Sequence, residues 1–478
     1  MFVKRLKSGV AVVGLVAGGL SALSQTASAL SSAPDPTWGV KGTVYALAQY
    51  GDTMYVGGAF SKAISPEGKA TAVSNIAAFS ISTGNYLPSF AATVTGTTGK
   101  VKVQALAVSA DGAKLYVGGG FDTVDGQPRE HLAIVNAATG TQLDPSLGSG
   151  PNRNVQAIVA SPSLVYLGGS FTRFDGHPRM HLAAISAADD SLSSTWVPTS
   201  TAGVDPCPSL LPVGTSCGSV SDGGTGNVHS MAFTADGNGL LLGGNFYYID
   251  GVPRNSIAEV SLSDGSILPW KVPWSTIPSE SPTAPYAGPN VVRAIVPTTM
   301  RIYVAYGRTP NGFEAFTSAI TTSSGECVNG CATQIWWHGA PGNPESLALS
   351  PDGSRLFVGG HFGTAVLDFQ VSSCGSTVWA HGLISVDPAT GSIFCDWFPQ
   401  MVPFGGKTAP GSGVNPPNYK GAWVMQMTPN ALFVGGKFTS ISGVPQQSVA
   451  RFTLSVPPPA VTSSESHHAM SRRAAVAR

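Results

Sequence analysis

One phrase recurs along this chain: an apolar run, a turn, an aliphatic-aromatic run ending in Gly-Gly, and a phenylalanine one residue further on. It reads VQALAVSADGAKLYVGGGF at 103–121, VHSMAFTADGNGLLLGGNF at 228–246 and ESLALSPDGSRLFVGGHF at 345–362. The Gly-Gly pairs begin at Gly57, Gly118, Gly168, Gly243, Gly359 and Gly435, and each leads to a phenylalanine: Phe60, Phe121, Phe171, Phe246, Phe362 or Phe438. A seventh, eroded copy is VVRAIVPTTMRIYVAYG at 291–307, where Ala305 and Tyr306 stand in place of the glycines. Self-similarity at a fixed period decides the fold before any single element does.

The local chemistry is that of strands. Asp111-Gly112, Asp236-Gly237 and Asp352-Gly353 each sit between two apolar runs, a strong short-range hairpin signal. Gly-Gly at the end of a strand marks a bulge or a close backbone approach. A third run follows, such as Leu132-Ala133-Ile134-Val135, and then a Thr-Gly turn. A short fourth segment closes on proline and an aromatic, as in Leu268-Pro269-Trp270 or Asp396-Trp397-Phe398-Pro399. The expectation is therefore all-β: a seven-bladed β-propeller of four-stranded antiparallel blades, a through d, whose radial closure protects the strand edges.

A linear β-solenoid would need a much shorter repeat than the mean period of about 63 residues over the copies from Gly57 to Gly435. The last repeat, 422–455, supplies strands a to c. The segment Asp35-Pro36-Thr37-Trp38 resembles a strand-d ending. Thr37-Trp38 is thus expected to complete the seventh blade, giving one propeller domain over 35–455 and a disordered tail at 456–478.

Composition narrows the functional classes. Charged residues make up 11% of the chain, with 26 Lys+Arg against 26 Asp+Glu. This is too few for a coiled coil or a charge-solvated disordered chain. The zero formal charge removes the general attraction behind non-specific nucleic-acid binding, so no nucleic-acid partner is expected.

Lys4, Arg5 and Lys7, the uncharged stretch Val10 to Leu23 and Ala27-Ser28-Ala29 form the three regions of a secretory signal over 1–29. Its apolar stretch is too short and glycine-rich to span a bilayer, so the mature chain is expected to be secreted and extracellular, with no membrane span. Six cysteines follow the leader: Cys207, Cys217, Cys327, Cys331, Cys374 and Cys395. In an oxidising compartment they are read as disulfides. Proximity favours Cys207–Cys217, Cys327–Cys331 and Cys374–Cys395, with other pairings open.

Units such as LYVGGGFDTVDGQPREHLAIVNAATG at 115–140 resemble the delta-sixty-type β-propeller repeats of secreted bacterial proteins. The resemblance covers about 40–455. It implies a structural or binding module on exported proteins and carries no catalytic residues with it. A weaker similarity is to quinoprotein propellers, through Asp387-Pro388-Ala389-Thr390-Gly391, but Trp397 stands too far beyond the glycine for that motif.

Candidate sites lie on the face reached by the b–c and d–a connections. The b–c connections repeat Asp-Gly-x-Pro-Arg, placing Arg129, Arg179 and Arg254 there. They are either turn chemistry or an arc for carboxylate or phosphate groups. The d–a inserts at 198–227, 271–290 and 400–421 are this chain's own, and the second carries Trp274 and Tyr286 as further ligand-binding candidates. His177 and His181 have the spacing of a helical metal pair but lie on loop and strand, and no metal, cofactor or catalytic residue is assigned. Gly214-Thr215-Ser216-Cys217-Gly218 lacks the strand and helix of a nucleophile elbow. Strand-a residues nearest the axis read mostly as Ala, Leu and Val. The expected function is a binding or scaffold module for an extracellular glycan, peptide or cell-envelope component. The alternative is an extracellular propeller hydrolase or lyase acting on carbohydrate or lactone at the central channel.

Overall fold

The computed structural model describes residues 30–97, 101–143, 147–201, 226–254, 256–272, 291–307, 312–320, 331–340, 342–362, 369–375, 378–402 and 420–454. The leader, the 456–478 tail, Cys207, Cys217, Cys327, Trp274, Tyr286 and the Gly214–Gly218 match lie outside them. Among the described residues the fold is all-β, with one short 3-10 turn at Ser372–Cys374. No described helix is long and apolar enough to cross a membrane.

Seven antiparallel sheets follow one another along the described chain, each built on an inner, a middle and a third strand. The inner strands are Gly39–Tyr50, Lys102–Val108, Val155–Ala160, Val228–Phe233, Val291–Pro297, Pro344–Leu349 and Gly421–Met427. Each inner strand packs on the inner strand of the next sheet, and Gly421–Met427 packs on Gly39–Tyr50. Successive sheets packed face to face in this way are the arrangement of a β-propeller.

The Gly-Gly pair explains the packing distance. A Cβ on the first glycine would meet the next sheet's inner strand: Gly57 against Val103 Cγ1 at 2.5 Å, Gly118 against Val155 Cγ1 at 2.8 Å, Gly435 against Val44 Cγ1 at 2.5 Å. A Cβ on the second would strike a carbonyl of its own inner strand, Lys102 O at 2.0 Å for Gly119 and Thr43 O at 2.0 Å for Gly58. That carbonyl is pushed there by a β-bulge. In every sheet the register skips one inner-strand residue opposite the pair, as between Val228 and Ser230 or Val103 and Ala105. The first glycine sets how closely sheets approach, and the second admits the bulge.

The fourth strand is less than expected. In five sheets it touches the third strand through one isolated bridge, such as Phe79↔Tyr86 or Val260↔Ile267. Only the fifth sheet among those described has a true fourth strand, Gln334–Gly339. The chain leaves the ladder because its proline and aromatic turn into the seam towards the next sheet. There Trp196 Nε1 donates to Ser261 O at 3.0 Å and Trp270 Nε1 to Thr317 O at 3.1 Å.

The chain's opening segment meets its last sheet. Leu30 bridges Leu454, Asp35 bridges Arg451, and the Asp35 amide donates to Arg451 O at 2.8 Å. In other sheets the same place on the third strand accepts from the fourth segment: Ala78 O from Leu87, Ala184 O from Ser193, Ser385 O from Phe394. The pairing therefore falls on Asp35, not on Thr37-Trp38. Trp38 follows three residues later, as Phe90 follows Leu87 and Trp397 follows Phe394, and it packs on Tyr86 of the first sheet, 5.6 Å between centroids.

Candidate functional site

The bulge that the second glycine admits also turns one side chain per sheet out of the two sheet faces. The skipped residues are Tyr45, Gln104, Gln156, His229, Arg293, Glu345 and Trp423. Six of them sit in the first three residues of inner strands that pack on one another, Tyr45 lies midway along the longer first one, and their contacts run from neighbour to neighbour. Tyr45 and Trp423 rings lie 6.0 Å apart, edge to face. Lys102, which opens the second inner strand, places Nζ 5.5 Å from the Tyr45 centroid. Gln104 Oε1 accepts from Asn154 Nδ2 of the third sheet at 3.0 Å.

On the far arc, Arg293 Nε lies 3.5 Å from Glu345 Oε2, and His361 Nδ1 lies 3.5 Å from Glu345 Oε1. The His361 ring also packs 5.5 Å from that of Trp423. A bulge breaks the period-two alternation from which axial residues are read, so the Ala, Leu and Val expected there are instead the seam-filling neighbours. The bulge positions of the inner strands carry polar and aromatic groups.

The electrostatics of this arc follow from burial around one permanent cation. Burial pushes the Glu345 carboxyl up from the ordinary carboxylate range, against the opposing pull of Arg293. Burial, reinforced by the Arg293 charge, takes His229 down to about 3 and His361 down to about 4. Both imidazoles are therefore neutral at physiological pH. The ring offers a guanidinium, neutral nitrogen donors and acceptors, amides and two aromatic rings. Trp423 Nε1 and Gln156 Oε1 are buried without a hydrogen-bond partner.

The arginines singled out in the sequence lie in successive b–c hairpins. Each guanidinium reaches carbonyls at the edge of its own sheet: Arg129 Nη1 to Gly148 O (3.3 Å), Arg179 Nη2 to Ser193 O (2.9 Å) and Arg254 Nη2 to Leu268 O (3.0 Å). The aspartates of the same tetrads accept from the connection beside them, Asp125 from the Thr93 amide at 2.8 Å and Asp250 from the Thr199 amide at 2.7 Å. The hairpins are thereby tied to the outer segments as small three-stranded sheets, for example Ser200–Thr201 with Tyr248–Ile249 and Val252–Pro253. Two of these outer strands, Ser200–Thr201 and Met401–Val402, run into the long inserts. This face therefore surrounds the end of the axis where the bulge residues lie.

His181 is buried, lowered by that burial, and hydrogen-bonded to Gly169; His177 is exposed. No group of three or more His, Cys, Asp or Glu among the described residues could hold a metal ion. Cys374 and Cys395 form a disulfide, and Cys331 is disulfide-bonded.

No family model matches the chain, and no curated protein does. Among solved structures it is similar to the Myceliophteria thermophila Cps50 (Swd1) beta-propeller domain, at 9% identity over 88% of this chain and 98% of that one, TM-score 0.46. It is also similar to the WD40 beta propeller domain of Doa1, at 11% identity over 89% and 96%, TM-score 0.45. A computationally designed protein, Ika8, matches at 11% identity over 88% and 97%, TM-score 0.41. Likenesses at this level say nothing of a ligand.

Proposed function

We propose that the chain is a secreted, seven-bladed β-propeller, closed by its opening segment on the last sheet, that binds an extracellular glycan at the axial mouth of its insert-bearing face. The observation that carries the reading is the set of seven bulge residues. Tyr45 and Trp423 offer neighbouring aromatic rings packed edge to face, while Gln104, Gln156, His229 and Arg293 offer hydrogen-bonding groups held on rigid strands. A sugar, with its apolar faces and ring of hydroxyls, matches an aromatic surface flanked by fixed polar groups. Closure is supported by Asp35 taking the place on Arg451 that a fourth segment takes elsewhere, and by Gly435 meeting Val44 of the first sheet. Secretion is supported by the Cys374–Cys395 disulfide and by the leader-like first residues.

The test is a glycan and cell-wall pull-down with the mature chain beside Tyr45→Ala and Trp423→Ala. Retention by a defined glycan, reduced about tenfold or more by either change, is expected. Retention equal in all three proteins removes the axial mouth as the site.

The second reading, a hydrolase or lyase, draws on the Glu345–His361 approach. Glycoside hydrolysis ordinarily uses two facing carboxylates, and among the described residues the inner strands carry one, Glu345. Release of shortened or unsaturated sugar from the bound glycan would favour that reading over simple binding.

A further inference from the structure

We propose that the sugar taken at the axial mouth is acidic, its carboxylate seated on the guanidinium of Arg293. This inference rests on the binding reading above and names the ligand class within it.

The charge distribution points there first. The chain is formally neutral, yet on and just before the inner strands cations outnumber carboxylates. The turns between inner and middle strands carry Asp52, Asp111, Asp236 and Asp352, all on the side away from the mouth. Hydrogen bonds from neighbouring hydroxyls and amides hold Asp111 and Asp236 below the ordinary carboxylate range, so these two turns stay anionic. At the mouth the inner strands open with Lys41, Lys102, Arg153, Arg293 and Lys420, the third and fifth of these lying on or just before their strands. Against them stands Glu345, the single carboxylate among the described inner-strand residues.

The geometry of Arg293 supplies the second, independent reason. Glu345 meets its Nε, at 3.5 Å, leaving the Nη1/Nη2 edge, with which a guanidinium grips a carboxylate through two parallel hydrogen bonds. A third of the Arg293 side chain is exposed, whereas Glu345 is almost wholly buried, 33% against 7%. Glu345 thus acts as a positioning residue that aims the guanidinium outward. His229 and His361 flank it as neutral rings, so the pocket adds hydrogen-bonding capacity there without adding a second fixed charge.

A nucleic-acid duplex or a bilayer would meet the basic rim but could not place an aromatic-contacting ring among the bulge residues, which lie on the strands rather than on the loops. A single pyranose can, with one face towards Tyr45 and Trp423 and its carboxylate towards Arg293.

The experiment titrates the mature chain with a short galacturonate oligomer, its methyl ester, and inorganic polyphosphate, following Trp fluorescence and heat. The acid is expected to bind about tenfold or more tightly than the ester, with affinity falling as salt rises. Arg293→Gln should bring acid and ester to the same affinity, and Arg293→Lys should restore part of the preference. Trp423→Phe, in which Arg293 is intact, should keep the acid preference while losing the fluorescence change. This second variant keeps the test open if Arg293→Gln fails to fold. Equal affinity for acid and ester overturns this inference and leaves the binding reading standing. Polyphosphate binding as tightly as the acid, unaltered by Arg293→Gln, overturns it in favour of a general polyanion surface. No binding of acid or ester in the wild-type chain overturns the acidic-sugar assignment, and a pull-down that also retains no glycan overturns the binding reading with it.

Discussion

The fifth sheet and the second are built to the same plan by different means. The second packs through Gly118, a carbonyl-admitting Gly119 and an outer segment joined by the single bridge Val135↔Gln142. The fifth has Ala305 and Tyr306 in those places, keeps the bulge at Arg293, and adds a complete ladder from Gly312–Thr317 to Gln334–Gly339. The partner explains the first exchange. Where other inner strands present Val103, Val155 or Val228 to the preceding glycine, the sixth presents Pro344 at the corresponding step of its bulge. The second exchange gains an interaction, since Trp337 Nε1 donates to the Tyr306 hydroxyl. The glycine pair therefore answers to its neighbours: the first residue to the next sheet's side chain, the second to the sheet's own bulge.

The largest effect should come from exchanging the two solutions. Gly119→Val would place a branched side chain on a carbonyl 2.0 Å from the new Cβ. It should cost about 3 kcal/mol or more in denaturant unfolding. Ala305→Gly, which adds no atom, should cost about 1 kcal/mol or less. Comparable losses in the two variants would end the distinction.

A pH experiment sharpens the comparison next. The fifth sheet buries Glu314 on its third strand, and that burial pushes the carboxyl up to about 8. The unfolded chain releases this proton near the ordinary glutamate value of 4.5, so between the two the folded state alone holds it. Stability should be full in acid and fall by several kcal/mol as pH rises towards 8. Glu314→Gln keeps the hydrogen-bonding shape and should flatten that slope. An unchanged slope would remove Glu314 as its source.

The smallest effect concerns what the sheets share. Tyr55, Tyr166 and Tyr303 occupy one place on the middle strands of the first, third and fifth sheets. Each hydroxyl donates to a turn of the next sheet, at Ala137 O (2.8 Å), Leu262 O (2.8 Å) and Pro388 O (3.3 Å). Replacing any of them by Phe should cost about 1 kcal/mol, the fifth sheet's Tyr303 no more than the others. A Tyr303→Phe loss well beyond the other two would mark the fifth sheet's seam as different in kind.

These contrasts also mark how far the repeat could be read in sequence. Apolar runs, Asp-Gly turns and the Gly-Gly pair locate inner, middle and third strands, because each depends on neighbours a few residues away. The fourth segment reads in sequence as a strand, but its proline and aromatic signal a seam, as with Trp196 and Trp270, rather than a ladder. The opening segment resembles those endings in sequence, and the structure pairs its Asp35 with Arg451 and packs Trp38 on Tyr86. The axial residues escaped notice, since a bulge shifts the alternation by one and turns His229, Arg293 and Glu345 away from the faces that periodicity assigns. A polar residue directly after the opening valine or valines of an inner strand, seen in Gln104, Gln156, His229 and Arg293, is the available signal.

The account turns on the chain's first described residues completing its last sheet, since only then do the inner strands enclose an axis. Amide hydrogen exchange on the mature chain reads this directly. The Asp35 amide, which donates to Arg451 O, and the Val40 amide, which donates to Gln447 O, should be protected to the same degree as the strand Val449–Thr453 and lose protection together with it. Free exchange at Asp35 and Val40 while that strand stays protected would contradict closure, and with it the axial site.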